Sequence, residues 1–214
     1  MNAISIVGWG LVGLVVAGGL RVIVQGSSVL PEKSERLAPP AVLEATTAVL
    51  FVALAWRIGP APDLFAYSWL AAASVALATI DWGTRQLPTK LIWPSGIVLA
   101  VLFGVAAVVN HDAYPLFRSA AGMLALLGFY GALYFLRPGQ LGGGDLRLGG
   151  VLGLALGWAG WPSVVTGTIF GWLTAAIALL ILRVVRRQEP HRDLPLGPFL
   201  VIGAFAAVLA GPGA

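Results

Sequence analysis

Residues 64–81 read LFAYSWLAAASVALATID, an apolar run that is long enough to cross a bilayer and ends on an aspartate. Similar apolar runs recur along the whole chain, with short polar breaks between them. Hydrophobic residues make up 58% of the 214 residues and charged residues only 10%, against roughly 25% charged residues in an ordinary soluble domain. The sequence therefore predicts an all-α fold, a polytopic transmembrane helix bundle without a separate globular domain.

The polar breaks divide the chain into eight predicted spans. These spans cover residues 3–24, 40–58, 63–80, 90–110, 114–136, 146–160, 162–183 and 195–210. A merged arrangement with seven spans is the alternative, because the sixth span is short and only Trp161-Pro162 separates it from the seventh. We expect a single transmembrane domain over residues 1–214, and the first span lacks the basic start of a secretory signal peptide.

Lysine and arginine are distributed unevenly between alternate connections. Of the 13 Lys and Arg residues, 11 lie in or beside the odd-numbered connections, and only Arg57 and Arg118 lie in or beside the others. The positive-inside rule then predicts that the odd connections face the cytoplasm and that both termini lie on the other side of the membrane. We expect a multi-pass protein of the inner (cytoplasmic) membrane. The net charge of +4 follows from this topology, so no nucleic-acid partner is predicted.

Two acidic residues mark the predicted cytoplasmic ends of spans. Asp145 lies in LGGGDLRL, residues 141–148, in the first turn of the sixth span, where the helix dipole favours negative charge. The glycines before it allow left-handed backbone and leave room for a substrate strand to approach the carboxylate. An ordinary glycine-rich turn capped by an aspartate would give the same pattern without catalysis.

The other acid, Asp81, opens the stretch DWGTRQLPTKL, residues 81–91, in which Leu87-Pro88 restarts the chain into the next span. Alone, Asp81 could simply mark the end of a helix. Two carboxylates on one face instead indicate aspartyl proteolysis, in which one activates water as a general base while the other donates a proton to the scissile carbonyl. Because two close carboxylates do not both ionise readily, such a pair shares a proton.

Other chemistries have less support in the sequence. The chain has no cysteine, which excludes a cysteine nucleophile, thiolate zinc sites and disulfides. His111 and His191 lie in different loops without the usual spacing of metal ligands. No metal and no cofactor is therefore predicted.

Three motifs together resemble the type IV prepilin peptidases, the peptidase A24-like branch of the GxGD-type membrane aspartyl proteases. The motifs are Asp81 with Leu87-Pro88 and Leu91, the GGGDLRL segment at 142–148, and LPLGPFL at 194–200, and they cover about residues 80–204. The resemblance implies that Asp81 and Asp145 form the catalytic dyad. It also implies substrate-binding or supporting positions at Leu87, Pro88, Gly142, Gly143, Gly144, Arg147, Pro195, Gly197 and Pro198.

The resemblance also implies the substrates, which are prepilins or prepilin-like pseudopilins of type IV pilus and secretion systems. They are cut at the cytoplasmic membrane face, between a polar leader and a hydrophobic N-terminal helix, so the lipid bilayer is the other expected partner. Acidic loop residues could meet a basic leader or simply be solvated: Glu32, Glu35, Glu189 and Asp193. Likewise, Arg85 and Arg147 could tune the dyad or only anchor the topology.

The sequence departs from the family pattern in a few places. Many members carry a cysteine-containing insert near the amino terminus, linked to methylation of the new amino terminus, whereas this chain has no cysteine and only a short loop over 25–39. A short, peptidase-only form is therefore expected. Leu196 stands where Phe is usual, and Thr89 where Asn or Asp is frequent.

Alternatives from other classes remain open at this stage. A presenilin-like or signal-peptide-peptidase-like protease also uses GxGD, but its Tyr-Asp pair and Pro-Ala-Leu segment are missing here. A proton-coupled transporter could use two membrane carboxylates as a relay, although that role predicts acids nearer the bilayer centre and internal symmetry. A non-catalytic scaffold would tolerate Asp→Asn at both positions.

Overall fold

A computed structural model describes residues 1–26, 40–84, 87–136, 141–186 and 195–211. Within these ranges the chain forms eight helices and no strand: α1 (Ala3–Gly26), α2 (Pro40–Ile58), α3 (Asp63–Thr84), α4 (Thr89–Val109), α5 (Tyr114–Leu136), α6 (Gly143–Ala159), α7 (Trp161–Arg186) and α8 (Gly197–Ala210). The all-α, polytopic prediction is confirmed. By length and composition, six of these helices could cross a membrane, while α6 has 17 residues and α8 has 14.

Helices α6 and α7 are separate, so the merged seven-span alternative is wrong as a description of the helices. Gly160 ends α6 with a φ of 140°, a conformation that side-chain-bearing residues rarely adopt. Its N–H still donates to the Leu156 carbonyl, and α7 begins at the next residue. The chain therefore changes direction at Gly160, and α6 and α7 do not form one continuous helix.

Helix α6 lies at the centre of the bundle and packs against α4, α5, α7 and α8. The buried side chains Tyr67 and Phe103 form part of the core around it, and Trp158 of α6 stacks on Phe103 with ring centroids 4.4 Å apart. Tryptophan is frequent at membrane interfaces, which predicts an interfacial belt of Trp82, Trp93, Trp158 and Trp161. For Trp158 this prediction is wrong, because the residue is only 4% exposed. Its neighbours on α6 are small, so the large ring fills the space beside them.

Glycines allow α6 to approach α5 at backbone contact. A Cβ on Gly153 would lie 2.5 Å from the carbonyl oxygen of Gly122, and one on Gly157 would lie 2.6 Å from that of Arg118. A Cβ on Gly149 or on Gly150 would likewise lie less than 3 Å from a side chain of α5. Four glycines at 149, 150, 153 and 157 of the sixth span predict close helix packing from the sequence, and the structure confirms this prediction.

The two cations outside the predicted cytoplasmic face both bind helix carboxyl ends. Arg118 Nε donates to the Gly157 carbonyl at 2.7 Å and Nη2 donates to that of Trp158, at the end of α6. Arg57 Nε donates to the Leu209 carbonyl at 3.0 Å and Nη2 donates to that of Gly211, at the end of α8. Cations stabilise helix carboxyl ends, where four carbonyls lack intrahelical partners. The two exceptions to the charge asymmetry are therefore structural.

We expect Arg118→Ala to lower the free energy of unfolding by about 2 kcal/mol, because the last carbonyls of α6 lose a charged donor. Thermal unfolding in detergent measures this effect. The exposed Arg183 of α7 provides a matched control, and Arg183→Ala should leave the melting temperature unchanged. Equal melting temperatures for both variants would contradict the capping role of Arg118.

Candidate active site

Asp81 lies in the last turn of α3, which continues to Thr84, beyond the predicted span end at residue 80. The side chain is buried, with 4% exposed. Its Oδ2 accepts a hydrogen bond of 3.2 Å from the backbone N–H of Gly197, the first residue of α8. The first N–H groups of a helix have no intrahelical partner, so the carboxylate of α3 satisfies one of them. This contact joins the end of α3 to the beginning of α8.

Asp145 occupies the first turn of α6, as predicted. Its Oδ2 accepts a hydrogen bond of 3.2 Å from the N–H of Gly142, the residue that caps the helix. The other oxygen, Oδ1, is buried and has no hydrogen-bond partner among the described residues. An ionised carboxylate is an acceptor only, so Oδ1 is free to accept a proton or a hydrogen bond from a reactant.

The three glycines before Asp145 do not adopt the left-handed backbone that the sequence suggested. Gly142 has φ of −72° and ψ of 141°, and α6 already begins at Gly143. The helix starts early because the Asp145 carboxylate satisfies the Gly142 N–H, so the left-handed backbone that glycine permits is not used here. Lack of a side chain matters instead at Gly144, where a Cβ would lie 2.5 Å from Leu87 Cβ.

Leu87 lies between the beginnings of α6 and α8. Besides its contact with Gly144, its Cδ1 would lie 3.3 Å from a Cβ on Gly197, and the same Cβ would lie 2.7 Å from Asp81 Oδ2. Pro88 follows as the residue that caps α4, with φ of −69°, and its missing N–H is not needed there. The three sequence motifs therefore meet at one end of the bundle, with Asp81 and Asp145 within electrostatic range of each other.

Arg147 does not pair with either aspartate among the described residues. Its Nη1 donates a hydrogen bond of 3.0 Å to Thr89 Oγ1, which joins the amino-terminal part of α6 to the first turn of α4. Thr89, a departure from the family pattern, supplies this acceptor. Pro195 precedes α8, and Pro198 occupies the first turn of that helix. The other predicted positions are outside the part of the chain that the structure describes: Glu32, Glu35, Arg85, Glu189, His191 and Asp193.

Comparison with known proteins agrees with this geometry. Residues 64–184 match the type IV leader peptidase family, Peptidase_A24. The chain belongs to this family. The matched residues contain both aspartates, and membership does not favour the presenilin-like, transporter or scaffold alternatives. No solved structure matches the chain.

Curated relatives of this leader peptidase family member carry the name "Prepilin leader peptidase/N-methyltransferase". One from Aeromonas hydrophila is 32% identical over 174 residues, covering 79% of this chain and 58% of the relative. One from Pseudomonas aeruginosa is 31% identical over 175 residues with the same coverage. One from Bacillus subtilis is 29% identical over 175 residues, covering 78% and 64%. The alignments thus span less than two thirds of the length of these relatives.

Tyr130 is a residue of this site region that the sequence motifs did not reveal. It lies in α5, is 2% exposed, and its ring would be 2.3 Å from a Cβ on Gly149 of α6. It is also within electrostatic range of Asp145. Only its position opposite the glycines of α6 distinguishes Tyr130 from the other aromatic residues of α5. That position could not be predicted from the sequence, because it depends on how the two helices cross.

We expect Gly197→Ala to lower the peptidase activity proposed below by about 10²-fold, because the new methyl group displaces the Asp81 carboxylate. A gel-shift assay of leader removal, with protein levels in the membrane measured in parallel, tests this. Gly104→Ala of α4 is the control, since a Cβ there meets nothing within 4 Å. Full activity of Gly197→Ala would show that the Asp81 position is not critical.

Proposed function

We propose that this protein is a membrane aspartic endopeptidase that removes the leader peptide from type IV prepilins or prepilin-like proteins. The observation that carries the proposal is the meeting of Asp81 and Asp145 at one junction of helix ends, each held by a backbone N–H. The curated relatives are named for cleavage of prepilin leaders, and family membership favours the same chemistry here.

In the proposed reaction the two carboxyl groups share one proton. The ionised Asp145 accepts a proton from water at the free Oδ1, and the water oxygen attacks the scissile carbonyl carbon. Asp81, in its protonated form, donates its proton to the carbonyl oxygen as the tetrahedral intermediate forms. Collapse of the intermediate breaks the C–N bond, Asp145 returns its proton to the leaving amine, and Asp81 recovers its own from the hydroxyl group. No metal or cofactor takes part.

We propose that the site faces the cytoplasm. The ends of α3 and α5 and the beginnings of α4, α6 and α8 belong to the connections that carry most of the Lys and Arg residues, and both termini then lie on the opposite side. A polar leader held in the cytoplasm and an apolar helix in the bilayer would bring the bond between them to this level.

We also propose that residues 1–214 act as one peptidase unit. Gly197 of α8 lies beyond the residues matched to the family, yet its N–H binds Asp81. The absence of cysteine and the short segment between α1 and α2 support a peptidase-only form without the methylation-linked insert.

Co-expression with a type IV prepilin that carries a C-terminal tag tests the proposal. We expect a shorter prepilin form in the membrane fraction, and its amino-terminal sequence should begin at the apolar segment after the leader. Cells without the peptidase provide the control. An unchanged prepilin, with the peptidase present in the same membranes, would contradict the proposed substrate class.

A further inference from the structure

An apolar groove runs along the bundle surface between α2, α3 and α8. It encloses about 420 Å³ and is lined by four residues from each of the three helices. These residues are Val42, Leu43, Thr46 and Leu50 of α2, Val75, Ala78, Thr79 and Trp82 of α3, and Pro198, Val201, Ile202 and Phe205 of α8. No lining residue is charged. Thr79 Oγ1 bonds to the Ala76 carbonyl, so its polar group is already satisfied.

The spacing of the lining residues suits a helix as the occupant. On α3 and on α8 the lining positions recur at intervals of three, one and three residues, the pattern of a single helix face over two turns. Two turns correspond to about 10 Å along the axis, or roughly seven residues of a bound helix. Val42, Trp82 and Ile202 on the rim are each at least half exposed, so the groove opens outward from the bundle.

One end of the groove is continuous with the candidate active site. Trp82 directly follows Asp81, and Pro198 directly follows Gly197, whose N–H binds Asp81 Oδ2. A chain that leaves the dyad along the bundle axis therefore enters the groove immediately. The opposite end lies beside Leu50 and Phe205, well inside the apolar parts of α2 and α8.

We propose that this groove binds the apolar helix of the substrate that directly follows the scissile bond. The proposal rests on the proposed function and adds a location to it. The leader lies on the polar side of the dyad, while the first two turns of the apolar helix pack against α2, α3 and α8. Burial of that helix next to Asp81 fixes the position of the bond to be cut relative to the dyad.

Cysteine cross-linking tests the location, and the natural absence of cysteine makes the chain suitable for it. Single variants Ala78→Cys and Ile202→Cys are combined with Asp145→Asn to retain uncleaved prepilin, which carries one cysteine in the first two turns of its apolar helix. Ala132→Cys is the matched control, because Ala132 is exposed on α5 near the same end of the bundle. We expect oxidative cross-links from both groove positions and none from Ala132. Cross-linking only at Ala132, equally at all three positions, or at none would overturn the proposal.

A bulky substitution tests whether the groove is needed for cleavage. We expect Ala78→Trp to reduce prepilin processing by about tenfold or more, while Ala132→Trp processes normally. Normal processing by Ala78→Trp would overturn the proposal. It would indicate that lipid chains, and not the substrate helix, occupy the groove. Processing of prepilin by the wild type is measured separately. Cleavage without cross-links in the groove would therefore contradict the binding of the substrate helix in the groove and not the peptidase activity. Groove cross-links without cleavage would support the docking site and contradict the activity.

Discussion

Asp81→Asn and Asp145→Asn should each lower leader cleavage by about 10²–10⁴-fold, the range that general acid–base groups contribute. The amide has the shape of the carboxyl group, and its oxygen still accepts the hydrogen bond from Gly197 or Gly142. Packing at the helix junction should therefore be kept, whereas the shared proton is lost. Gel mobility of a co-expressed prepilin measures the effect, with the amount of each variant determined in the same membranes.

The double variant distinguishes a dyad from two independent groups. Because the two carboxyl groups act as a unit, Asp81→Asn with Asp145→Asn should be no less active than either single variant. Asp112→Asn is the control, since Asp112 is exposed and its Oδ1 accepts only a local hydrogen bond from the Tyr114 N–H among the described contacts. More than a tenth of wild-type activity in either single variant would contradict the aspartyl mechanism.

Gly153→Leu should prevent stable assembly of the bundle. At this position a Cβ would lie 2.5 Å from the Gly122 carbonyl oxygen, and a backbone atom cannot move aside as the end of a flexible side chain can. Helices α5 and α6 would have to separate, which we expect to cost about 3 kcal/mol or more. Because α6 also carries Asp145, the separation would displace the dyad. The yield of folded protein and its melting temperature in detergent measure the effect.

Gly128→Leu provides a matched control on α5. A Cβ on Gly128 meets nothing within 4 Å, so a larger side chain there points away from its neighbours. We expect wild-type yield and melting temperature for this variant. Similar losses for both variants would mean that a larger apolar side chain impairs assembly wherever it is placed, and would contradict a specific role of the crossing of α5 and α6.

The helices and the pairing of the motifs could be predicted because the signals are local or follow simple rules. The lengths of the apolar runs predicted the eight helices. The uneven distribution of Lys and Arg between the connections predicted that Asp81 and Asp145 lie on the same side of the membrane. The contact of Leu87 with Gly144 and Gly197 was not predictable, because it depends on how three helix ends approach one another. The same holds for the bond of Arg147 to Thr89, which the sequence left open between tuning and anchoring.

Two features of the helices could not be predicted, for a common physical reason. The glycines before Asp145 permit many conformations, and composition does not show which of them packing selects. Trp158 was expected at the interface because tryptophan is frequent there, but the small residues around it on α6 leave room for the ring in the core. Both cases required the positions of neighbouring helices. The structural role of Arg57 and Arg118 could have been suspected from their exception to the charge rule alone.

The central claim is that Asp81 and Asp145 together hydrolyse the bond between leader and apolar helix. The most direct test is incubation of purified protein in detergent with a purified prepilin, followed by mass determination of the products for the wild type and for each Asp→Asn variant. We predict one leader peptide and one mature chain with the wild type, and intact prepilin with both variants. The same two products from either variant would contradict the dyad.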